Sequence, residues 1–480
     1  MTERNLNSGQ KAAYDAIIDA VQNRHSIMRP DDITSNSWLL LGEAGTGKTY
    51  VTCCIVDALK QLPRYNNSDR KLRVAVCAPT HKAAQVLTRK LREFGVNAVA
   101  ITIHSLLGLK PTVDDSEKQV LKKQSKGFAG DFDVVVLDET SMVDTPLQGY
   151  IDRELEFHFI LYVGDDGQLN PVGEKIAPIF ARMPEHRTSR LTEIVRQAAE
   201  NPIIQVAGII RRQQNNGRDV DWSWVRPIEA GNKGVFIPPA NQIDDWLKEG
   251  FTSREFKEDN DFFRYVCYTN ETVHRINAKC RQWIYGETDT PFVPGERVIC
   301  RNPVQNEEGA TAFATNQEAI VNEIYRDERK FSFIELPADP YSGKAHLPAF
   351  EVTMPIWRVR LVASADMVGE TDDEGAPYGV PCIMPVDRQA MMRLDRHLCS
   401  QAKANRDRWR QRFAWLELMA DLRPVYGLTG HSAQGSTFVM GAVDIPDIAK
   451  LAMRNPEEAK KLAYVCLTRF SDAVIIAGGR

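Results

Sequence analysis

Short runs of apolar residues recur through the first third of the chain, each ending in a polar or glycine-containing turn and followed by a stretch of helical spacing. The runs are Trp38 to Leu41, Arg73 to Ala78, Val134 to Leu137 and Phe159 to Val163. A segment apolar at consecutive positions is buried on both faces, as in the interior of a parallel sheet. Helices are predicted over Lys48 to Leu59, His81 to Phe94 and onward from Thr145. This alternation predicts an α/β fold with a doubly wound parallel sheet and sites at the carboxyl ends of its strands. Between Leu106 and Asp131 the pattern lapses into charge too dense for a core. Residues 106–130 are therefore expected to project as a hairpin or loop from a first domain made of 1–105 and 131–180.

A second α/β pattern begins near Thr192, with a strand at Arg264 to Tyr268, a helix from Glu271, and last strands at Val425 to Leu428 and Ala473 to Ala477. The gap between them places an insertion, residues 286–423, inside a second domain of 181–285 and 424–480. Extended segments at Glu296 to Cys300, Ala319 to Tyr325, Phe331 to Glu335, Trp357 to Val362 and Val380 to Pro385 alternate with Pro, Gly and Asp turns, which predicts a small β-barrel. From Asp387 to Leu422 the spacing turns helical.

Composition narrows the class without naming it. The 480 residues suffice for about three domains. With 43% hydrophobic and 26% charged residues, neither disorder nor a fibre fits. The 60 basic and 64 acidic residues leave a formal charge of −4, so a polyanion must be held by a local basic groove. One candidate lies between Arg388 and Arg412, where eight Lys or Arg face only Asp395 and Asp407 and are interleaved with Trp409; a solvated helix face is the equal alternative. The nine cysteines are scattered without zinc-like spacing, and no stretch resembles a signal peptide or a membrane span. A cytoplasmic protein is expected.

Gly42-Glu43-Ala44-Gly45-Thr46-Gly47-Lys48-Thr49 follows a predicted strand and opens a predicted helix. In that context Gly42, Gly45, Thr46 and Gly47 let backbone N–H groups close around phosphates, Lys48 reaches the β- and γ-phosphates of ATP, and Thr49 ligates Mg²⁺. Val134 to Leu137 ends in Asp138-Glu139, placing Asp138 to hold the Mg²⁺ through water and Glu139 to deprotonate an attacking water. Phe159 to Val163 leads into Gly164-Asp165-Asp166-Gly167-Gln168-Leu169-Asn170-Pro171, which sets Gln168 where a γ-phosphate is sensed. His81 and His104 follow strands, beside Thr80 and Thr102, where they can touch phosphate or stack on an unpaired base.

In this set and order the motifs resemble superfamily 1 DNA helicases of the 5′-to-3′ branch, the Dda-like and RecD-like group. Leu6-Asn7-Ser8-Gly9-Gln10 is similar to the adenine-reading Q motif, with Gln10 at the base. Ala78-Pro79-Thr80-His81-Lys82-Ala83-Ala84 and Thr102-Ile103-His104-Ser105 look like the strand-binding motifs, and imply DNA contacts by Pro79, Thr80, His81, Thr102 and His104. Leu191 to Gln197 carries Arg196 at the arginine-finger position. Tyr268-Thr269-Asn270, Thr429 to Thr437 and Tyr464 to Arg469 complete the series, adding Asn270, Thr429 and His431 at the strand, Gly435 at the nucleotide and Arg469 across the ATP cleft.

The resemblance implies two RecA-like lobes, a duplex-splitting pin at 106–130 in the first and an SH3-like barrel with helices in the second. It also implies a 5′-to-3′ motor on single-stranded and forked duplex DNA, monomeric, free of membranes, with a single-strand DNA-binding protein as a further partner. Two departures stand out: Asp114 to Lys126 contains no aromatic residue to cap a pin, and Asn170 stands where many relatives have proline. A translocase that displaces bound proteins, an RNA helicase of the same superfamily and a non-hydrolysing nucleotide-gated module are the competing readings. The base Glu139 argues against the last.

Overall fold

The computed structural model describes residues 5–23, 36–64, 69–113, 119–123, 125–195, 200–305, 311–313, 315–339, 341–362 and 379–478. The first lobe is built on β1 (Ser37–Gly42), β2 (Val74–Ala78), β3 (Ala100–Thr102), a hairpin of β4 (Leu109–Val113) and β5 (Gln119–Lys123), then β6 (Val134–Leu137), β7 (Phe159–Gly164) and β8 (Thr188–Leu191). Its main sheet has the order β3-β2-β6-β7-β1-β8, every pair parallel. Successive residues of one strand enter opposite cores: Val134 and Val136 pack on one face of the sheet with Leu40, while Val135 and Leu137 pack on the other with Leu39 and Leu41. Burial on both faces is why these strands read as unbroken apolar runs, each fully buried Val or Leu contributing about 1.5–3 kcal/mol.

The second lobe opens with β9 (Ile228–Ala230), β10 (Lys233–Phe236) and β11 (Phe263–Cys267). The chain then leaves it for a separate compact unit, residues 277–425. That unit holds β12 (Arg297–Cys300), β13 (Val304–Gln305), β14 (Thr311–Phe313), β15 (Glu318–Phe333), β16 (Phe350–Val362), β17 (Val380–Pro385) and β18 (Leu422–Pro424). The second lobe is completed by β19 (Gly427–Thr429), β20 (Phe438–Asp444) and β21 (Phe470–Ala477) in a sheet ordered β19-β11-β20-β21-β10-β9, parallel except at β9. In the inserted unit a five-stranded antiparallel sheet, β17-β16-β15-β12-β18, accompanies the helices Arg388–Ala404 and Arg408–Glu417. No helix among the described residues is long and apolar enough to cross a membrane.

Three expectations change. The first sheet runs past the expected limit at 180, because Thr188–Leu191 pairs with β1; its residues other than Leu191 are not buried, so no apolar run marks it. Ala319 to Tyr325 and the Phe331 to Phe333 part of the second segment belong to the single strand β15, which ends at Phe333; its largely exposed middle is paired with β16 along an antiparallel ladder and flanked by charge pairs such as Asp327 with Arg358 and Glu323 with Arg360. In the basic segment, Arg412 pairs with Asp395 at 2.7 Å and Arg408 is fully buried over Phe350, so part of the local positive surplus is structural.

Candidate nucleotide and strand site

Strands β6, β7 and β1 lie side by side, so the segments that follow them meet at one edge of the first sheet. After β1 the chain turns through Gly45 at φ 83° and Gly47 at φ 79° into the helix Lys48–Leu59. At Gly47 a Cβ would fall 2.6 Å from Gln10 Nε2, so the left-handed turn and the close approach both require glycine. Gln10 forms a capping box with Asn7 and donates from Nε2 to the Thr46 carbonyl at 2.9 Å. The residue expected at adenine thus also braces the loop. Thr46, 1% exposed, donates from its hydroxyl to the Glu43 carbonyl at 2.8 Å. Lys48 folds back on the loop, donating to the carbonyls of Gly42 and Glu43.

After β6, burial and the adjacent Glu139 carboxylate push the Asp138 carboxyl up to about 7, against the opposing pull of the Glu139 amide and Lys48. Glu139 takes the left-handed backbone at φ 51°, a conformation that side chains adopt only where surroundings impose it, and its amide donates to Asp138 Oδ1 at 2.9 Å. Two crowded carboxylates, Asp138 within electrostatic reach of Lys48, make an oxygen donor set that a small divalent cation would relieve. After β7, Gln168 is 5% exposed with Oε1 buried and unpartnered. Buried amide oxygens are ordinarily bonded, which marks it as awaiting a partner.

A second group sits at the ends of β2, β3 and β19. Thr80, Thr102 and Thr429 each cap a helix, their hydroxyls accepting from the amides of Ala83, Ser105 and Ser432 at 3.1 to 3.2 Å. Each is followed within two residues by a histidine: His81, His104 and His431. Burial holds all three imidazoles below their ordinary pKa, and for His104 the nearby His81 adds to that effect, while Asp144 and the Pro79 carbonyl oppose it. They are neutral at pH 7, suited to hydrogen bonding or stacking and not to charge pairing. Asn270 is exposed at the start of the helix Asn270–Tyr285, after the Thr269 side chain has bonded Asp447.

Gly435 and Arg469, two further expected site residues, meet protein partners. Gly435 is expected at the nucleotide but lies against the first lobe's Ala83, where an added Cβ would come within 2.7 Å of Ala83 Cβ; close packing of the two lobes is what its position demands. Arg469 is 7% exposed and donates to the carbonyls of Val465 and Ser436 and to the Thr468 hydroxyl, all within the second lobe. Arg196 lies outside the described residues. Among the described residues, Arg211 on the helix Pro202–Gln213 approaches the loop, 3.6 Å from Glu43 Oε1, and is paired with Asp166. An amphipathic helix with two terminal arginines carries no signal that would single it out. Asn170 also gains a role, its Oδ1 accepting from Lys461 of the second lobe at 3.0 Å.

A family profile described as an AAA domain matches residues 26–174. The chain is 29% identical over 311 residues to the ATP-dependent DNA helicase Dda of Enterobacteria phage T4, and spans 63% of that protein's length. It is 34% identical over 176 residues to the ATP-dependent RecD2 DNA helicase of Deinococcus radiodurans, 35% of this chain and 21% of that one. An uncharacterized protein of Acanthamoeba polyphaga mimivirus is 29% identical over 517 residues, 97% of this chain and 98% of that one. In fold, a Pif1 helicase structure obtained in work on unwinding at forked double-stranded DNA superposes with a TM-score of 0.50 at 16% identity, over 99% of this chain and 92% of that one.

Proposed function

We infer that this chain, a relative of the Dda-like and RecD-like superfamily 1 helicases, is an ATP-driven DNA helicase that moves 5′ to 3′ along single-stranded DNA. The observation that carries the reading is the juxtaposition of the Lys48 loop with Asp138-Glu139 and Gln168 at one sheet edge, reached from the second lobe by Arg211 and Tyr464. ATP is the substrate, bound between two RecA-like lobes, with 1–105 and 131–191 in the first, since β8 belongs to its sheet, and the chain from there to 285 together with 424–480 in the second.

In this reading Lys48 and the loop amides of Gly45, Thr46 and Gly47 hold the phosphates, Thr49 and Asp138 hold Mg²⁺, and Glu139 accepts the proton of the attacking water. Mg²⁺, when bound, supplies charge neutralisation at the phosphates. Gln168 orients the terminal phosphate. Arg196 and Arg469 act from the second lobe, Arg469 by exchanging its present carbonyl partners for phosphate as the cleft closes; an arginine brought across a cleft is worth about 10³–10⁵ in rate. Hydrolysis tied in this way to closure and opening moves the strand held by Pro79, Thr80, His81, Thr102, His104, Asn270, Thr429 and His431. The hairpin within 106–130 serves as the pin, and the 286–423 insertion is an SH3-like barrel with helices. Forked duplex DNA is the substrate end, a single-strand DNA-binding protein a partner, and a cytoplasmic monomer the working form.

The test is strand separation with ATP and Mg²⁺ on two matched duplexes, one with only a 5′ single-stranded tail and one with only a 3′ tail, recording phosphate release in the same samples. Separation of the 5′-tailed duplex alone is expected. Phosphate release without separation of either would favour the translocase reading, which the absence of an aromatic residue from Asp114 to Lys126 supports. Binding to single strands should also weaken steeply with salt: a groove meeting about four phosphates loses about fiftyfold in affinity between about 50 and about 200 mM salt. A flat salt response in a fluorescence-anisotropy titration would remove the basic groove from the account.

A further inference from the structure

Tyr464, on the second-lobe helix Pro456–Thr468, is 1% exposed and reaches the first lobe. Its hydroxyl donates to Asp165 Oδ2 at 2.7 Å and accepts from the Ala44 amide of the glycine-rich loop at 2.8 Å. Asp165 is equally buried, and its second oxygen accepts from the Gly167 amide at 2.9 Å. It lies 3.8 Å from Lys48 Nζ and 3.9 Å from Arg211 Nη2. The Asp165-Asp166-Gly167 turn is gripped from the second lobe on the other side too: Lys461 donates to the Asp166 carbonyl at 3.2 Å, and a Cβ at Gly167 would overlap the Arg211 guanidinium.

A loop amide, an ammonium and a guanidinium are the three kinds of donor that phosphate oxygens take. Here all three are engaged by protein groups: a phenol, buried carboxylates and the loop's own carbonyls. Buried polar groups persist only when bonded, so this set of partners stabilises the loop in the absence of an anion, and an incoming anion has to replace it.

We propose that Tyr464, with Asp165, is a positioning latch that holds the Ala44 amide and Lys48 away from nucleotide, and that a nucleoside triphosphate must break it to bind. The proposal rests on the nucleotide site inferred above and extends it with a competitor that belongs to the second lobe. Breaking the Tyr464–Asp165 bond loosens two things at once. One is the turn that leads to Gln168, three residues after Asp165; the other is the helix that ends beside Arg469. Occupancy of the loop is thereby transmitted to both lobes through the Tyr464 hydroxyl, beside the Lys461 and Arg211 contacts to the same turn.

The experiment titrates the fluorescent nucleotide mant-ATP, with Mg²⁺ and without DNA, into the full chain and into Tyr464→Phe, Asp165→Asn and the double variant. Each single variant is expected to bind about three- to tenfold more tightly, since the nucleotide no longer displaces a bond between buried groups. The double variant should bind no more tightly than the better single one, because both changes remove one shared interaction. Unchanged affinity in the singles would reduce Tyr464 to packing, and weaker binding would make it a direct nucleotide contact; either result overturns the latch. Should Tyr464→Phe fail to fold, Asp165→Asn decides alone by the same criterion. If the unaltered chain binds no mant-ATP, the nucleotide site itself is wrong and the latch falls with it, whereas binding by the unaltered chain with unmoved variants removes the latch only.

Discussion

Lys48→Ala lowers DNA-stimulated phosphate release by at least about 10³-fold while leaving the affinity for single-stranded DNA within about threefold. The magnitude follows from what the ammonium does: a preorganised positive group at transferring phosphate is worth as much as, or more than, one oxyanion donor, about 10²–10³ in rate, and Lys48 also contributes to binding. Its place at the end of a different strand from the strand-contact group supplies the second half of the expectation. Lys48 is held by the loop carbonyls of Gly42 and Glu43 at the end of β1, whereas Thr80, Thr102 and Thr429 cap helices after β2, β3 and β19. A malachite-green phosphate assay beside a fluorescence-anisotropy titration checks both. Preserved turnover would show that the nucleotide binds elsewhere.

Glu139→Gln lowers the rate of hydrolysis by about 10²–10⁴-fold, the range for loss of a positioned general base, with nucleotide affinity retained or improved. Glutamine keeps the shape and the backbone of the position, including the left-handed φ and the amide donated to Asp138. It removes the carboxylate that, after burial, is the main cause of the raised Asp138 pKa. Asp138 is then more readily ionised at neutral pH, which favours a cation at that site. Rapid-quench hydrolysis combined with mant-ATP binding distinguishes this outcome from simple loss of the site, in which affinity and rate would fall together.

Much of this site was readable in one dimension because its chemistry is local. The glycine-rich loop, its lysine and its threonine lie within eight consecutive residues, and the strand before them and the helix after them satisfy their hydrogen bonds nearby. Burial of both sheet faces wrote the central strands as apolar runs, so Val134 to Leu137 matches the observed element residue for residue. The helix Lys48–Leu59 was legible for the same reason. Edge strands were not. Ala100–Thr102, Thr188–Leu191 and Ile228–Ala230 are three or four residues long, and a partner strand far away in sequence, not their own pattern, makes them strands.

By itself, then, the sequence determined which residues form the glycine-rich loop and the Asp138-Glu139 pair and which strands form the sheet interiors, since those depend on spacing along a single segment. The tertiary structure decided how the groups are used. It turned Thr80, Thr102 and Thr429 into helix caps, gave Arg469 carbonyl partners within its own lobe, set Gly435 against Ala83, and brought Arg211 and Tyr464 to the loop from residues more than 150 positions away. Such pairings are chosen by the packing of two lobes and by the need of every buried donor for an acceptor, a condition that no local pattern of residues records.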